Sequence, residues 1–238
     1  MIRVVLLDLD NTLLENDMQR FLPPYFAALG RRMANLVAPD ELVRMLLAST
    51  QVMMNNQDPT VTNQQAFEAD FFPSLGHPES EVRPIIHAFY EEDFPALKKY
   101  TRPKPRARLL AKTILDRGYD VVIATNPIFP RRAIEHRLEW AGLLDLPFSL
   151  VTTYENSHFC KPNPCYYQEI LDKLGCPAGD AIMVGDDFWN DIQPAMQAGL
   201  YTYWIAGASQ DSPAPSPHLR GNLTDCLAWM QSGSLSQW

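Results

Sequence analysis

Short apolar runs alternate with amphipathic stretches along most of this chain. Val4-Val5-Leu6-Leu7 predicts a strand over roughly 3–8, and further strands are expected at 119–124, 148–152, 181–184 and 201–205. Between them, apolar positions at helical spacing predict helices at 105–117, 130–141, from Pro164 to Gly175, at 190–198 and at 222–231. Gly118, Gly142, Gly175 and Gly199 stand where helix ends need a residue free to take a left-handed conformation. A proline at the first helical position, as at Pro164, loses nothing, because its missing N–H would be unpaired there. The alternation predicts an α/β fold.

Residues 16–99 break the rhythm. They carry no convincing strand but four helical patterns, at 17–37, 40–54, 62–72 and 79–92, punctuated by Pro39, Asp58-Pro59 and Gly76-His77-Pro78. Arg102-Pro103-Lys104-Pro105 reads as a stiff extended connector back to the alternating part, and Ser212-Pro213-Ala214-Pro215-Ser216-Pro217 as a loop before the last helix. The expected organisation is a core of residues 1–15 and 100–238 with a helical module, 16–99, inserted after the first strand.

Composition narrows the class. At 238 residues, 46% hydrophobic and 20% charged, the chain is an ordinary globular protein with ample core. Its net charge of −8 is shared evenly between the insert and the remainder, which argues against a nucleic-acid backbone or an anionic membrane as partner. Met1-Ile2-Arg3 runs straight into a strand, so no secretory leader is expected. No apolar run approaches the ~20 residues needed to span a bilayer. Cys160, Cys165, Cys176 and Cys226 form no C-x-x-C pair, which favours reduced thiols and a cytoplasmic protein over zinc or a disulfide framework.

The strongest chemical signal is Asp8-Leu9-Asp10-Asn11-Thr12 directly after the first apolar run. Carboxylates two apart on a continuing strand point the same way, and the carboxyl ends of strands are where open α/β sheets bind ligands. Such a pair repels itself unless a cation or a shared proton relieves it. The plainer alternative is an Asx turn, with Asp10-Asn11-Thr12 acting as a helix cap. Farther on stand Ile123-Ala124-Thr125-Asn126, Lys161-Pro162-Asn163-Pro164 and Gly185-Asp186-Asp187-Phe188-Trp189-Asn190-Asp191. Taken singly, Lys161 reads equally as a surface lysine, and Asp186 and Asp191 as acids favouring a helix start.

Taken in order, the four segments resemble the signatures of the haloacid dehalogenase superfamily. The resemblance implies a doubly wound parallel sheet with an inserted all-helical cap, and it spans roughly 1–15 and 100–238. It further implies that Asp8 is a nucleophile toward phosphorus and that Asp10 is the general acid and base. Thr125 and the Asn126 backbone N–H would hold phosphoryl oxygens, and Lys161 would neutralise charge between Asp8 and the phosphoryl group. Mg²⁺ would be held by Asp8, the Asp10 carbonyl and Asp186. Asp191 would orient Lys161 or a metal-bound water. Asp187 is either a substitute ligand or a cap, and Thr12 supports the site from behind.

An inserted cap of this kind closes over the site and selects the leaving group, so the resemblance implies a phosphatase for a small soluble phosphate monoester. Asn16, Asp17, Arg20 and the loop Asn55-Asn56-Gln57-Asp58 are the polar candidates for that selection. Dehalogenases of the superfamily lack the second acid, so Asp10 counts against one. A phosphomutase keeps all four signatures, and a catalytically silent binding protein keeps the fold; both remain alternatives. The five histidines show no ligand spacing and Met33, Met45, Met53 and Met54 read as packing. Arg131-Arg132 read first as a solvated helix start.

Overall fold

The computed structural model describes residues 1–207, 210 and 214–233; Ser212 and Pro213 of the expected Pro/Ser loop lie outside the described residues. Strands β1 (Val4–Leu7), β4 (Asp120–Ile123), β5 (Leu150–Val151), β6 (Ala181–Gly185), β7 (Tyr201–Ile205) and β8 (Leu219–Gly221) form one sheet in the order β5-β4-β1-β6-β7-β8. Every pairing in it is parallel.

Parallel sheets are covered on both faces, so their strands are apolar throughout rather than alternating. All four residues of β1 are buried. Val4 and Leu6 pack toward Tyr166, Tyr167 and Ile170 of α7 (Pro164–Leu174) and Ala195 of α8 (Gln193–Gln197). Val5 and Leu7 lie in the larger cluster with Leu110 and Ile114 of α5 (Ala107–Asp116), Ile134 and Leu138 of α6 (Arg131–Trp140) and Leu227 of α9 (Leu223–Gln231). The doubly wound sheet is therefore built from the period-2 alternation of side chains.

The insert is helical, as its pattern predicts. Helices α1 (Met18–Met33), α2 (Pro39–Met54), α3 (Asn63–Ser74) and α4 (Glu79–Ala88) follow β2 (Leu14–Glu15) and precede β3 (Arg102–Pro103). Three boundaries differ from expectation. The first helix, expected to run to 37, ends at Met33. The helix expected to run to 92 changes to a π-helical turn at Phe89–Asp93 and a 3₁₀ segment at Phe94–Tyr100. The connector expected at 102–105 pairs antiparallel with β2, Leu14 opposite Pro103 and Glu15 opposite Arg102. Entry to and exit from the insert are thus fastened side by side.

Contacts from the insert to the sheet layer are specific. Thr62 caps α3 with a reciprocal bond to Gln65, and the buried Asn63 donates to the Pro127 carbonyl at 3.2 Å. The Asn63 and Gln64 backbone N–H groups reach the Ser157 and Tyr154 carbonyls, both at 2.8 Å. Among the described residues no helix is long and apolar enough to cross a membrane.

Candidate active site

Register brings the four motifs together. Leu7 lies opposite Ile123 on one side and Val184 on the other, so the residues just beyond β1, β4 and β6 share one edge. These are Asp8, then Thr125 and Asn126, then Asp186. The Asp8 N–H donates to the Val184 carbonyl at 2.9 Å, and the Ala124 N–H donates to the Leu7 carbonyl at 2.8 Å. Asp8 leaves the strand buried, with little exposure to solvent.

Lys161 reaches this edge from the loop before α7. It is 2% exposed, which excludes the surface-lysine reading. Its Nζ donates to Asp8 Oδ1 at 2.8 Å and to Asp191 Oδ1 at 2.6 Å. Burial alone disfavours its charge, but Asp191 and Asp8 more than reverse that and hold its pKa well above the ordinary value. Asn126 contributes here through its side chain, whose Oδ1 accepts from the Lys161 backbone N–H at 3.1 Å. Thr125 is fixed from behind, its carbonyl accepting from Thr152 Oγ1 at 2.7 Å and Tyr166 Oη at 2.9 Å.

The segment from Gly185 to Asp191 divides its three acids. Asp186 accepts from Thr12 Oγ1 at 3.1 Å. Asp187 caps the π-helical turn Phe188–Ile192, accepting from the Trp189 and Asn190 N–H groups at 2.9 and 3.0 Å. Asp191 is buried within that turn and accepts the Asp187 N–H on Oδ2 at 3.1 Å. A Cβ on Gly185 would stand 2.6 Å from Asp191 Cβ, so only glycine lets that carboxylate fold under the strand end.

Carboxylate oxygens of Asp8, Asp186 and Asp191 lie within 4.8 Å of one another. Burial first, and Asp8 second, push the pKa of both Asp186 and Asp191 upward. Hard oxygen donors in a crowded, self-repelling group fit a small divalent cation. With both Asp191 oxygens already engaged, Asp8 and Asp186 keep the more available lone pairs.

Asp10 sits apart from that cluster and is held on both oxygens. Asn16 Nδ2 donates to Oδ1 at 2.9 Å, and Arg137 Nη2 pairs with Oδ2. Arg137 is 1% exposed, and its guanidinium lies 5.4 Å from the Phe129 ring centre. Burial pushes its pKa down to about 10 against the pull of Asp8. The turn that carries Asp10 uses Asn11 at a φ of 57°, a left-handed conformation asparagine tolerates, and Asn11 Oδ1 accepts the Asn16 N–H.

Sequence reasoning missed Arg137. Its one signal was a charge on the apolar stripe Ala133-Ile134-Leu138 of α6, all of them buried. The expected leaving-group selectors fall elsewhere. Asn16 serves Asp10, Asp17 caps α1 and Arg20 pairs with Asp17 in solvent. Asn56 spends its amide on the Asp58, Val61 and His158 carbonyls. Arg132 pairs with Glu91 and Glu135, away from the strand ends.

This arrangement has relatives. The pyrimidine 5'-nucleotidase PynA of Streptococcus pneumoniae is 30% identical over 125 residues, and the match takes in about half of each protein, 50% of this chain and 51% of the relative. The pyrophosphatase PpaX of Bacillus pumilus is 25% identical over 231 residues, 95% of either chain. In fold, the chain resembles a solved 2-haloacid dehalogenase from Pseudomonas syringae, with a TM-score of 0.66 at 22% identity over 96% of this chain and 99% of that one. A family model for haloacid dehalogenase-like hydrolases matches residues 2–199, taking in β1, the helical insert and the acidic turn after β6, and the chain belongs to that family.

Proposed function

We propose that the protein is a Mg²⁺-dependent phosphatase acting on a small phosphate monoester through an aspartyl-phosphate on Asp8. Residues 16–99 act as its cap and residues 1–15 with 100–238 as its catalytic core. The observation that carries this reading is the buried Lys161, bonded at once to Asp8 and Asp191 where three strand ends meet. PynA and PpaX, a nucleotidase and a pyrophosphatase by name, support hydrolysis at phosphorus. Free thiols, three of them buried, agree with a reducing cytoplasm.

An Asp8 oxygen attacks phosphorus and the P–O bond to the alcohol breaks, the departing oxygen taking a proton from Asp10. Water then attacks the same phosphorus, Asp10 accepts its proton, and the P–O bond to Asp8 breaks to release phosphate. Lys161 offsets charge on Asp8 and the phosphoryl oxygens, and Thr125 with the Asn126 N–H orients them. Asp8, Asp186 and the Asp10 carbonyl would hold Mg²⁺, which would supply charge neutralisation across the same oxygens.

Phosphate release from p-nitrophenyl phosphate tests the reading. Release should stop on chelation, return with Mg²⁺ and be absent in a folded Asp8→Asn protein. Turnover by Asp8→Asn comparable to the parent, or full activity after exhaustive metal removal, would overturn it.

A further inference from the structure

Cap and core enclose a chamber of about 130 Å³ beside the candidate site. Met18, Leu46, Phe67 and Phe71 line it from the helical insert, and Ile128 and Phe129 from the segment just after Thr125-Asn126. Among the described residues that line it, none is charged and none is a histidine or a side-chain amide. The hydroxyls along its wall are largely engaged. Tyr25 and Tyr90 bond each other at 3.0 Å, and Thr50 Oγ1 donates to the Leu46 carbonyl at 2.7 Å.

Two lining residues tie the chamber to the chemistry. Met18 Sδ stands 3.7 Å from Asn16 Nδ2, the group that holds one oxygen of Asp10. The Phe129 ring lies under Arg137, which holds the other. The chamber wall is therefore the outer side of the two groups that orient Asp10, the residue that meets the departing oxygen. Leu47, half exposed, stands where the chamber opens to solvent.

We infer that this chamber receives the leaving group, and that the preferred substrate is the phosphate monoester of an apolar alcohol with about the bulk of one six-membered ring. The inference rests on the phosphatase reading and adds the substrate class to it. An apolar cavity of roughly 150 Å³ holds a benzene molecule, so the volume suits one ring. A polyhydroxylated or carboxylated alcohol would surrender its water here to a wall whose hydroxyls, apart from that of Tyr154, are already engaged. The polar residues expected to select such an alcohol are the ones occupied with Asp10, with helix capping and with loop carbonyls.

The test compares kcat/KM for benzyl phosphate, ethyl phosphate and glycerol 1-phosphate; glycerol is the most acidic of the three alcohols, so leaving-group ability alone would favour glycerol 1-phosphate. Burying a ring should favour benzyl phosphate over the other two by about 10- to 100-fold. Leu46→Trp fills the chamber and should bring the benzyl-to-ethyl ratio toward one. Leu46→Ala enlarges it and should move the preference toward 2-naphthylmethyl phosphate; it serves equally if the larger side chain disturbs folding. Equal rates on the three esters, a preference for glycerol 1-phosphate, or a ratio indifferent to both variants overturns the inference and leaves the phosphatase reading standing. No phosphate release from these esters or from p-nitrophenyl phosphate overturns both.

Discussion

Asp10 shows how much of a candidate catalytic residue is set by what lies behind it. One of its oxygens accepts from Asn16 Nδ2 and the other is ion-paired with Arg137, so both sides of the carboxylate are engaged. Asp10→Asn keeps the shape but turns one acceptor into a donor facing a donor, so its folding must be measured alongside its rate. If Asp10 delivers the proton, the loss should approach the ~10²–10⁴-fold typical of general acid–base groups for an alkyl phosphate. The attack step on p-nitrophenyl phosphate should suffer far less, because nitrophenolate leaves without a proton. Single-turnover rates on both esters check this, and an equal loss on the two would return Asp10 to a structural role. Asp8, Asp10, Asp186 and Lys161 were legible in the sequence because each sits at a boundary that the apolar runs define. Arg137 was not, because a lone arginine inside a helix looks like any solvated one until the partner under it is known. Asn126 was legible as a position, but its side chain's bond to the Lys161 backbone was not, since that bond spans 35 residues of chain.

At the scale of elements, periodicity carried far where an element was long and failed at most of the short ones, the two-residue β5 excepted. β1, β4, β6 and β7 stood within a residue or two of expectation because fully buried parallel strands read as unbroken apolar runs. β2 and β3 have two residues each and β8 has three, too few for any alternation to show. The π-helical turn at Phe188–Ile192 was expected as the start of a longer helix. Its widened bonding, with the Ile192 N–H reaching the Asp187 carbonyl at 3.3 Å, lets Asp191 turn back under β6. Gly185 is the complement of that turn. In Gly185→Ala the new Cβ would stand 2.6 Å from Asp191 Cβ, with both residues buried and nowhere to relax. Overpacking of this kind costs about 1–3 kcal/mol, which a shift in denaturant midpoint would show. The activity should fall more than stability does, because the displaced carboxylate also accepts from Lys161 Nζ through its other oxygen, Oδ1. A variant of unchanged kcat would mean that Asp191 does not position Lys161 for the reaction.

At the scale of the molecule, the site is a concentration of like charge held together by the rest of the fold. Four carboxylates, Asp8, Asp10, Asp186 and Asp191, face Lys161 and Arg137, with Lys104 acting on Asp186 as well, so negative charge exceeds positive. Burial and the proximity of Asp8 raise the pKa of Asp186 and Asp191 in the folded chain. A carboxyl whose pKa is higher folded than unfolded binds more protons in the folded state, so stability falls as pH rises past the ordinary carboxylate range. The metal-free protein should therefore lose thermal stability on going from pH 5 to pH 8. If Mg²⁺ binds here it meets that excess of negative charge, and it should restore more stability at pH 8 than at pH 5. Saturation at a hundred times the dissociation constant contributes about 2.7 kcal/mol, which for a chain of this size raises the melting midpoint by on the order of 5–10 °C. Asp186→Asn separates this account from a general effect of salt. It removes one of the repelling charges, so the metal-free variant should melt higher than the parent at pH 8, and it removes a ligand, so Mg²⁺ should shift it little. Differential scanning fluorimetry of both proteins at the two pH values, with Mg²⁺ or with matched ionic strength, reads all of these at once. A parent whose midpoint ignores Mg²⁺ at pH 8, or a variant stabilised by it as strongly as the parent, would mean that the fold tolerates its buried charge by some other means and that Asp186 does not hold the ion.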